Sequence, residues 1–191
     1  MIKSKSDYKL YLSEDKKSLG AGSLKDYFFH KVWAFQKSLR KAEYWHNCHS
    51  TVFGRLISYW FRMQLKRKGR KLGFSIPINV FGPGLSIAHE GTIVINSRAR
   101  IGSNCIIHVC VNIGSAPQDS SAAPRIGNNC YLAPGAKLYG DIVIGNNVAI
   151  GANAVVNKSF SEDNQTIAGV PAKQISRKGP IQFRSFSINE N

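Results

Sequence analysis

Two of the five histidines in this chain, His89 and His108, stand where an imidazole could serve as a base. Imidazole titrates near neutrality, so it is the side chain best placed to take a proton from a hydroxyl group at cellular pH. His89 is followed directly by Glu90, a carboxylate able to orient a neighbouring ring, and His108 follows Ile107 at a place where side chains tend to point outward. His30, His46 and His49 fall in a region of helical character and have no such setting. The four cysteines, Cys48, Cys105, Cys110 and Cys130, form no Cys-x-x-Cys pair and show no metal-ligand spacing. His46, Cys48 and His49 are close in sequence but lack further ligands nearby, so no metal is expected. A lone histidine is more often a surface or interface residue than a catalytic one, and the weight of His89 and His108 depends on the frame that holds them.

That frame is a six-residue repeat. Aliphatic residues fall at Ile95, Ile101, Ile107 and Ile113, then at Ile126, Leu132, Leu138, Ile144, Ile150 and Val156. Gly102, Gly114, Gly127, Gly145 and Gly151 follow the aliphatic beat directly, and Ala99, Cys105, Val111, Cys130, Ala136, Val148 and Ala154 take the fifth place. A period of six is neither the 3.6 of a helix nor the alternation of a hairpin strand, so it reads as an internal repeat. Short strands joined by turns, three to a coil, satisfy it. The beat then points into a prism, the small fifth place lies near the corner, and Gly or Asn supplies the turn conformations. The thiols of Cys105 and Cys130 are expected to fill core volume.

The beat has two breaks. Ile87 and Ile93 run two residues off the later phase, and irregular coils are where sites tend to sit in a monotonous scaffold. Between Ile113 and Ile126 the spacing holds seven residues too many, which predicts a loop extruded at a corner within SAPQDSSAAPR. After Val156 the pattern is expected to stop and lead through a turn into a short tail.

Ahead of the repeat the chain is basic. Residues 1 to 75 carry 17 Lys and Arg against 5 acids, out of 26 and 11 in the whole chain, so the positive excess belongs to the appendage. A polar helix is expected over residues 7 to 18, closed by Gly20 and loosely attached. A second begins at Leu24 with Ser23 as its N-cap, and a third runs over residues 50 to 68. The third carries Val52, Phe53, Leu56, Ile57, Trp60 and Met63 on one broad face. The last two read as a hairpin packing its aromatic stripes internally, on the prism or on a partner subunit. The cluster KRKGRK at 66 to 71 has no recognised nucleic-acid module beside it and suits a solvated helix end, so no nucleic-acid partner is expected. A basic helix with Tyr59, Trp60 and Phe61 could instead make a peripheral contact with an anionic membrane surface. No apolar span of about 20 residues occurs and MIKSKSDYKL lacks the apolar core of a secretion signal, so a cytoplasmic location is expected. The expected division is a basic α-helical region over 1–71, a repeat domain over 72–176 and a tail over 177–191.

The order LSIAHEGTIVI, a regular coil, a loop, then PRIGNNCYLAPGAKLYGDIVIGNNVAIGANAVV and AGVPAK resembles the serine acetyltransferase branch of the hexapeptide-repeat acyltransferases. It also resembles related enzymes that acetylate sugar hydroxyls in surface-polysaccharide synthesis. The resemblance implies a mainly β fold, a left-handed parallel β-helix preceded by helices. It implies acetyl-CoA as co-substrate, and a homotrimer or a dimer of trimers with active sites between subunits. It places His89 on the family's general base, which deprotonates an acceptor hydroxyl beside the thioester; in this chain Glu90 or a backbone carbonyl is expected to orient it, and His108 to contact the acceptor or serve as an auxiliary base. Gly114 and Ser115 match the stretch near the thioester. Ala133, Pro134, Gly151 and Ala152 match the small residues along which the pantetheine arm runs, and Lys158 and Lys173 are candidate partners of the nucleotide phosphates.

Departures from the serine enzymes bear on the acceptor. Ala88 stands where an Asp precedes the catalytic His, and FSIPIN offers no acid to orient the imidazole, with Ser75 or Asn79 nearest; Asn79 is thus a candidate substrate contact. Ala122 and Ala123 replace the Arg-His pair that holds the amino-acid carboxylate, and Arg125 lies three residues past the Arg position. These changes favour a sugar or other neutral hydroxyl, in a saccharide or small molecule, over serine. Serine O-acetylation for cysteine synthesis is the nearest alternative. A non-catalytic trimeric scaffold docking on membranes is the alternative of another class.

Overall fold

The computed structural model describes residues 1–21, 31–119 and 122–180, where three helices precede a stack of short strands. Helix α1 (Lys5–Leu19) starts where the Ser4 hydroxyl accepts the Asp7 N–H and ends at Gly20 in the left-handed region. Helix α2 spans Lys31–Cys48, and the expected start at Leu24 with its Ser23 cap lies outside the described residues. Helix α3 (Val52–Leu72) is capped by the Thr51 hydroxyl, which accepts the Gly54 N–H, and is closed by Gly73.

Strands follow in threes. One face of the prism stacks β2 (Ser86–Ile87), β5 (Ile106–Ile107), β8 (Tyr131–Leu132), β11 (Val148–Ile150) and β13 (Gln165–Gly169). The second stacks β1 (Phe74–Ser75), β3 (Ile93–Ile95), β6 (Asn112–Gly114), β9 (Lys137–Tyr139) and β12 (Val155–Val156). The third holds β4 (Arg100–Ile101), β7 (Arg125–Ile126) and β10 (Val143–Ile144). All of these pair in parallel, and the register shows the repeat directly: Val94 lies opposite Asn112 and Arg125 opposite Val143, 18 residues or three hexads per coil. Every aliphatic beat from Ile95 to Val156 is buried, as is every small fifth-place residue named above. Asn104, Asn129, Asn147 and Asn153 turn the corners with φ of 57°, 56°, 53° and 55°, which asparagine tolerates better than other non-glycine residues.

Both breaks in the beat resolve as corner insertions. Ile87 aligns with Ile107 and Ile95 with Ile113, so two extra residues enter between them, in the segment that carries His89, Glu90 and Gly91. The seven-residue excess leaves at the corner after β6 without disturbing pairing, since Asn112 meets Lys137 in register. The pattern also outlasts Val156: β13 pairs with β11, Ile167 is fully buried, and the antiparallel strand β14 (Ala172–Ser176) closes this last coil.

Helix α1 is not loosely attached. The Arg40 guanidinium of α2, fully buried, donates to both Asp15 oxygens at 2.8 and 3.2 Å, to Glu43 at 3.0 Å, and to the carbonyls of Phe81 and Gly82 at 3.0 and 2.7 Å. Its five N–H groups are thereby all used. Asp15 accepts the backbone N–H groups of Gly84 and Leu85 at 2.9 Å each, and the Gln36 amide donates to the Leu85 carbonyl and accepts the Ile87 N–H. Side chains of α1 and α2 thus satisfy the open backbone edge of the first coil. Of the three settings expected for the apolar face of α3, a single chain supplies neither the hairpin nor the prism, and the partner subunit remains. The buried side of α3 is Gly54, Ser58, Leu65, Gly69 and Leu72, while Val52, Phe53, Leu56, Trp60 and Met63 are exposed. The reason is close approach: a Cβ on Gly69 would sit 2.6 Å from the Phe74 carbonyl oxygen, and one on Gly54 2.8 Å from the His49 Cβ.

Candidate functional site

The corner between the first and second faces gathers most of the candidate residues. Backbone bonds run from Ala88 N–H to the Ile107 carbonyl, from His108 to Leu132, from Ala133 to Ile150 and from Gly151 to Ile167. Ala88, His108, Ala133, Gly151 and Ala168 therefore occupy equivalent positions in five successive coils, about 4.8 Å apart. His89 stands next to Ala88 in the inserted corner, as Pro134 follows Ala133 and Ala152 follows Gly151. Below the two histidines the corner is lined by small side chains, and one of them is obligatory: a Cβ on Gly151 would come within 2.7 Å of the Ala168 Cβ. Lys173 continues the same line, opposite Ala168 in the β13–β14 pair, and is exposed.

The rings of His89 and His108 lie 5.9 Å apart, centre to centre. His89 is exposed and His108 half-buried, with the Tyr131 ring packed against it edge to face, centres 5.1 Å apart. Burial, and secondarily the neighbouring His89, hold the His108 imidazole below its ordinary pKa, so at pH 7 it is neutral. A neutral imidazole offers one N–H donor and one nitrogen acceptor. The Glu90 carboxylate meets the Lys31 ammonium at the start of α2, at 3.4 Å.

Other candidates lie elsewhere. Gly114 and Ser115 sit at the next corner, where β6 gives way to the extruded loop, one prism face beyond His108. Lys158 is at that second corner too, its ammonium 5.5 Å from the centre of the Phe160 ring. Asn79 is remote from His89 within one chain: its amide pairs with that of Asn47 at the end of α2, whereas Glu90 pairs with Lys31 at the start. Sixteen residues of helix, about 24 Å, separate those two anchor points. Tyr131 and Lys31 were not foreseen. Tyr131 occupies the variable sixth place of the hexad IGNNCY, where an outward aromatic is the one available signal. Lys31 reaches Glu90 from 59 residues away, and nothing in the spacing announces that contact. Among the described residues no group of three or more His, Cys, Asp or Glu is placed to hold a metal ion.

A family model for the bacterial transferase hexapeptide (six repeats) matches residues 123–158. The serine acetyltransferase of Synechococcus elongatus is 37% identical over 99 residues, covering 51% of this chain and 40% of that one. The serine acetyltransferase of Staphylococcus xylosus is 37% identical over 106 residues, covering 55% and 49%. The chain thus spans about half the length of these relatives or less. A solved serine acetyltransferase from Brucella abortus, in complex with coenzyme A, superposes with a TM-score of 0.76 at 24% identity, over 92% of this chain and 70% of that one. At that identity the likeness speaks for the fold, and it covers helices as well as prism. The prism is a left-handed parallel β-helix, and the chain is a hexapeptide-repeat protein whose likeness is to the serine acetyltransferase branch.

Proposed function

We propose that the protein is an acetyl-CoA-dependent O-acetyltransferase, with a helical region over 1–71 serving a catalytic prism over 72–176. The observation that carries the reading is the stacked corner: two imidazoles stand at the head of a column of Ala133–Pro134, Gly151–Ala152 and Ala168 that ends at Lys173. Such a column lets a straight, narrow pantetheine arm lie close to the backbone, with its thioester near the histidines and its phosphates near Lys173. The relatives named above bear the name serine acetyltransferase, and one structural neighbour is a complex with coenzyme A.

In this reading His89 takes the proton of the acceptor hydroxyl while the oxygen attacks the thioester carbonyl. The tetrahedral oxyanion collapses to the ester, the carbon–sulfur bond breaks, and the proton passes from the imidazolium to the departing thiolate. No acyl-enzyme forms, so the protein has chiefly to position two substrates and stabilise the oxyanion. Centres 5.9 Å apart let one hydroxyl touch both rings, with neutral His108 donating to or accepting from the acceptor. Gly114, Ser115 and Lys158, on the second corner, would complete the site from a neighbouring subunit of a trimer.

Free L-serine is the acceptor that the relatives' names back best, ahead of a sugar hydroxyl. The sugar reading keeps one specific support: Ala88 and Ala122–Ala123 put no charge where a zwitterionic acceptor's groups would be met. Calorimetric titration with CoA and a thiol-release assay with acetyl-CoA and L-serine test the proposal together. CoA binding and turnover are expected, with His89→Ala lowering kcat by roughly 10²–10⁴-fold while CoA still binds. A folded protein that binds no CoA would overturn the enzyme reading, and turnover of saccharides but not serine would transfer it to the sugar class.

A further inference from the structure

Helix α3 shows solvent its large apolar side chains. Val52, Phe53, Leu56, Tyr59, Trp60 and Met63 are all exposed, Val52 by 77% and Trp60 by 55%, and their spacing puts them on one stripe of about three turns. The same face then changes character: Lys66, Arg67, Arg70 and Lys71 continue it, and Arg55 and Arg62 flank the stripe. No carboxylate occurs anywhere in the helix. Alongside runs a groove of about 690 Å³, with Arg62, Lys66 and Arg70 on one wall and Phe74, Ile76 and Ile78 below them. Cations above an apolar floor match what a phospholipid presents, a phosphate above an acyl chain.

We propose that this face of α3 docks on an anionic phospholipid surface. The helix lies in the plane of the headgroups, with Phe53, Leu56, Trp60 and Met63 in the acyl boundary and the basic turn among the phosphates. No helix among the described residues is long and apolar enough to cross a membrane, so contact is by lying on the surface. Charge decides for lipid over a second copy of the chain. A copy carries 26 Lys and Arg against 11 Asp and Glu, so its surface has the same sign as these cations, whereas an anionic headgroup layer has the opposite one. The inference is independent of the acetyl-transfer reading, because α3's exposed face and the histidine corner share no residue.

Co-sedimentation of the full chain with vesicles tests it, comparing phosphatidylcholine alone with a mixture containing about a third phosphatidylglycerol. Binding is expected only to the anionic vesicles, and raising salt from about 0.1 to about 0.5 M should weaken it roughly tenfold. The double variant Leu56→Glu, Trp60→Glu changes only exposed positions, so it should keep the wild-type melting curve yet lose binding. No binding of wild type to anionic vesicles overturns the proposal, as does binding that the double variant retains. Wild type eluting as an assembly that the double variant dissociates, without vesicle binding, gives the face to a second copy.

Discussion

His108 carries a cost that pH exposes. Its imidazole, held below the usual 6.5 by burial first and His89 second, binds a proton less readily folded than unfolded. Its contribution to stability is therefore complete above 6.5 and lost as pH falls through the lower folded value. His108→Gln cannot be protonated, so its Tm should fall less than that of wild type between about pH 7 and about pH 5. Equal losses would show that other groups govern the acid limb. The two histidines were unequally legible. His89 stood out because the beat slips by two residues around it, and an insertion in a periodic scaffold is visible in one dimension. His108 could be suspected from its place in the repeat, but its packing partner could not: Tyr131 is a variable-place residue one coil below, and only the stacking of coils brings the rings together.

At the scale of elements, the prism and the helices differ in how far sequence dictates them. A hexad makes one demand, a buried aliphatic every six residues, and the stack meets it at each coil from Ile95 to Val156. Helix packing makes a choice instead. An amphipathic stripe says that one side of α3 is apolar, while Gly54, Ser58 and Gly69 on the other side allow a closer approach, and the structure follows the small residues. Nor does spacing tell that Arg40 will be buried, since its partner Asp15 lies 25 residues back on another helix. That network is open to test. Arg40→Ala would strand two buried carboxylates, Asp15 and Glu43, and is expected to lower unfolding free energy in urea by about 3–5 kcal/mol. A loss under about 1 kcal/mol would mean water reaches the site and the N-terminal segment is held by its buried apolar side chains, Ile2 and Tyr11.

Taken whole, the molecule is a stack with two unlike ends. The far end stops itself, because β14 turns back antiparallel on β13 and the chain leaves. The near end would otherwise offer a row of unpaired donors and acceptors in register for another prism. Gln36, Arg40 and Asp15 occupy those positions with side-chain groups, each standing in for a peptide of a coil that is not there. The helices thereby act as a terminator of growth. A prism begun at residue 73 would have lost that terminator, and bare strand edges are templates for more strands. Its far end is still closed by β14, so such a fragment is expected to pair near end against near end and stop there, light scattering giving about twice the mass of the full chain's assembly at high concentration.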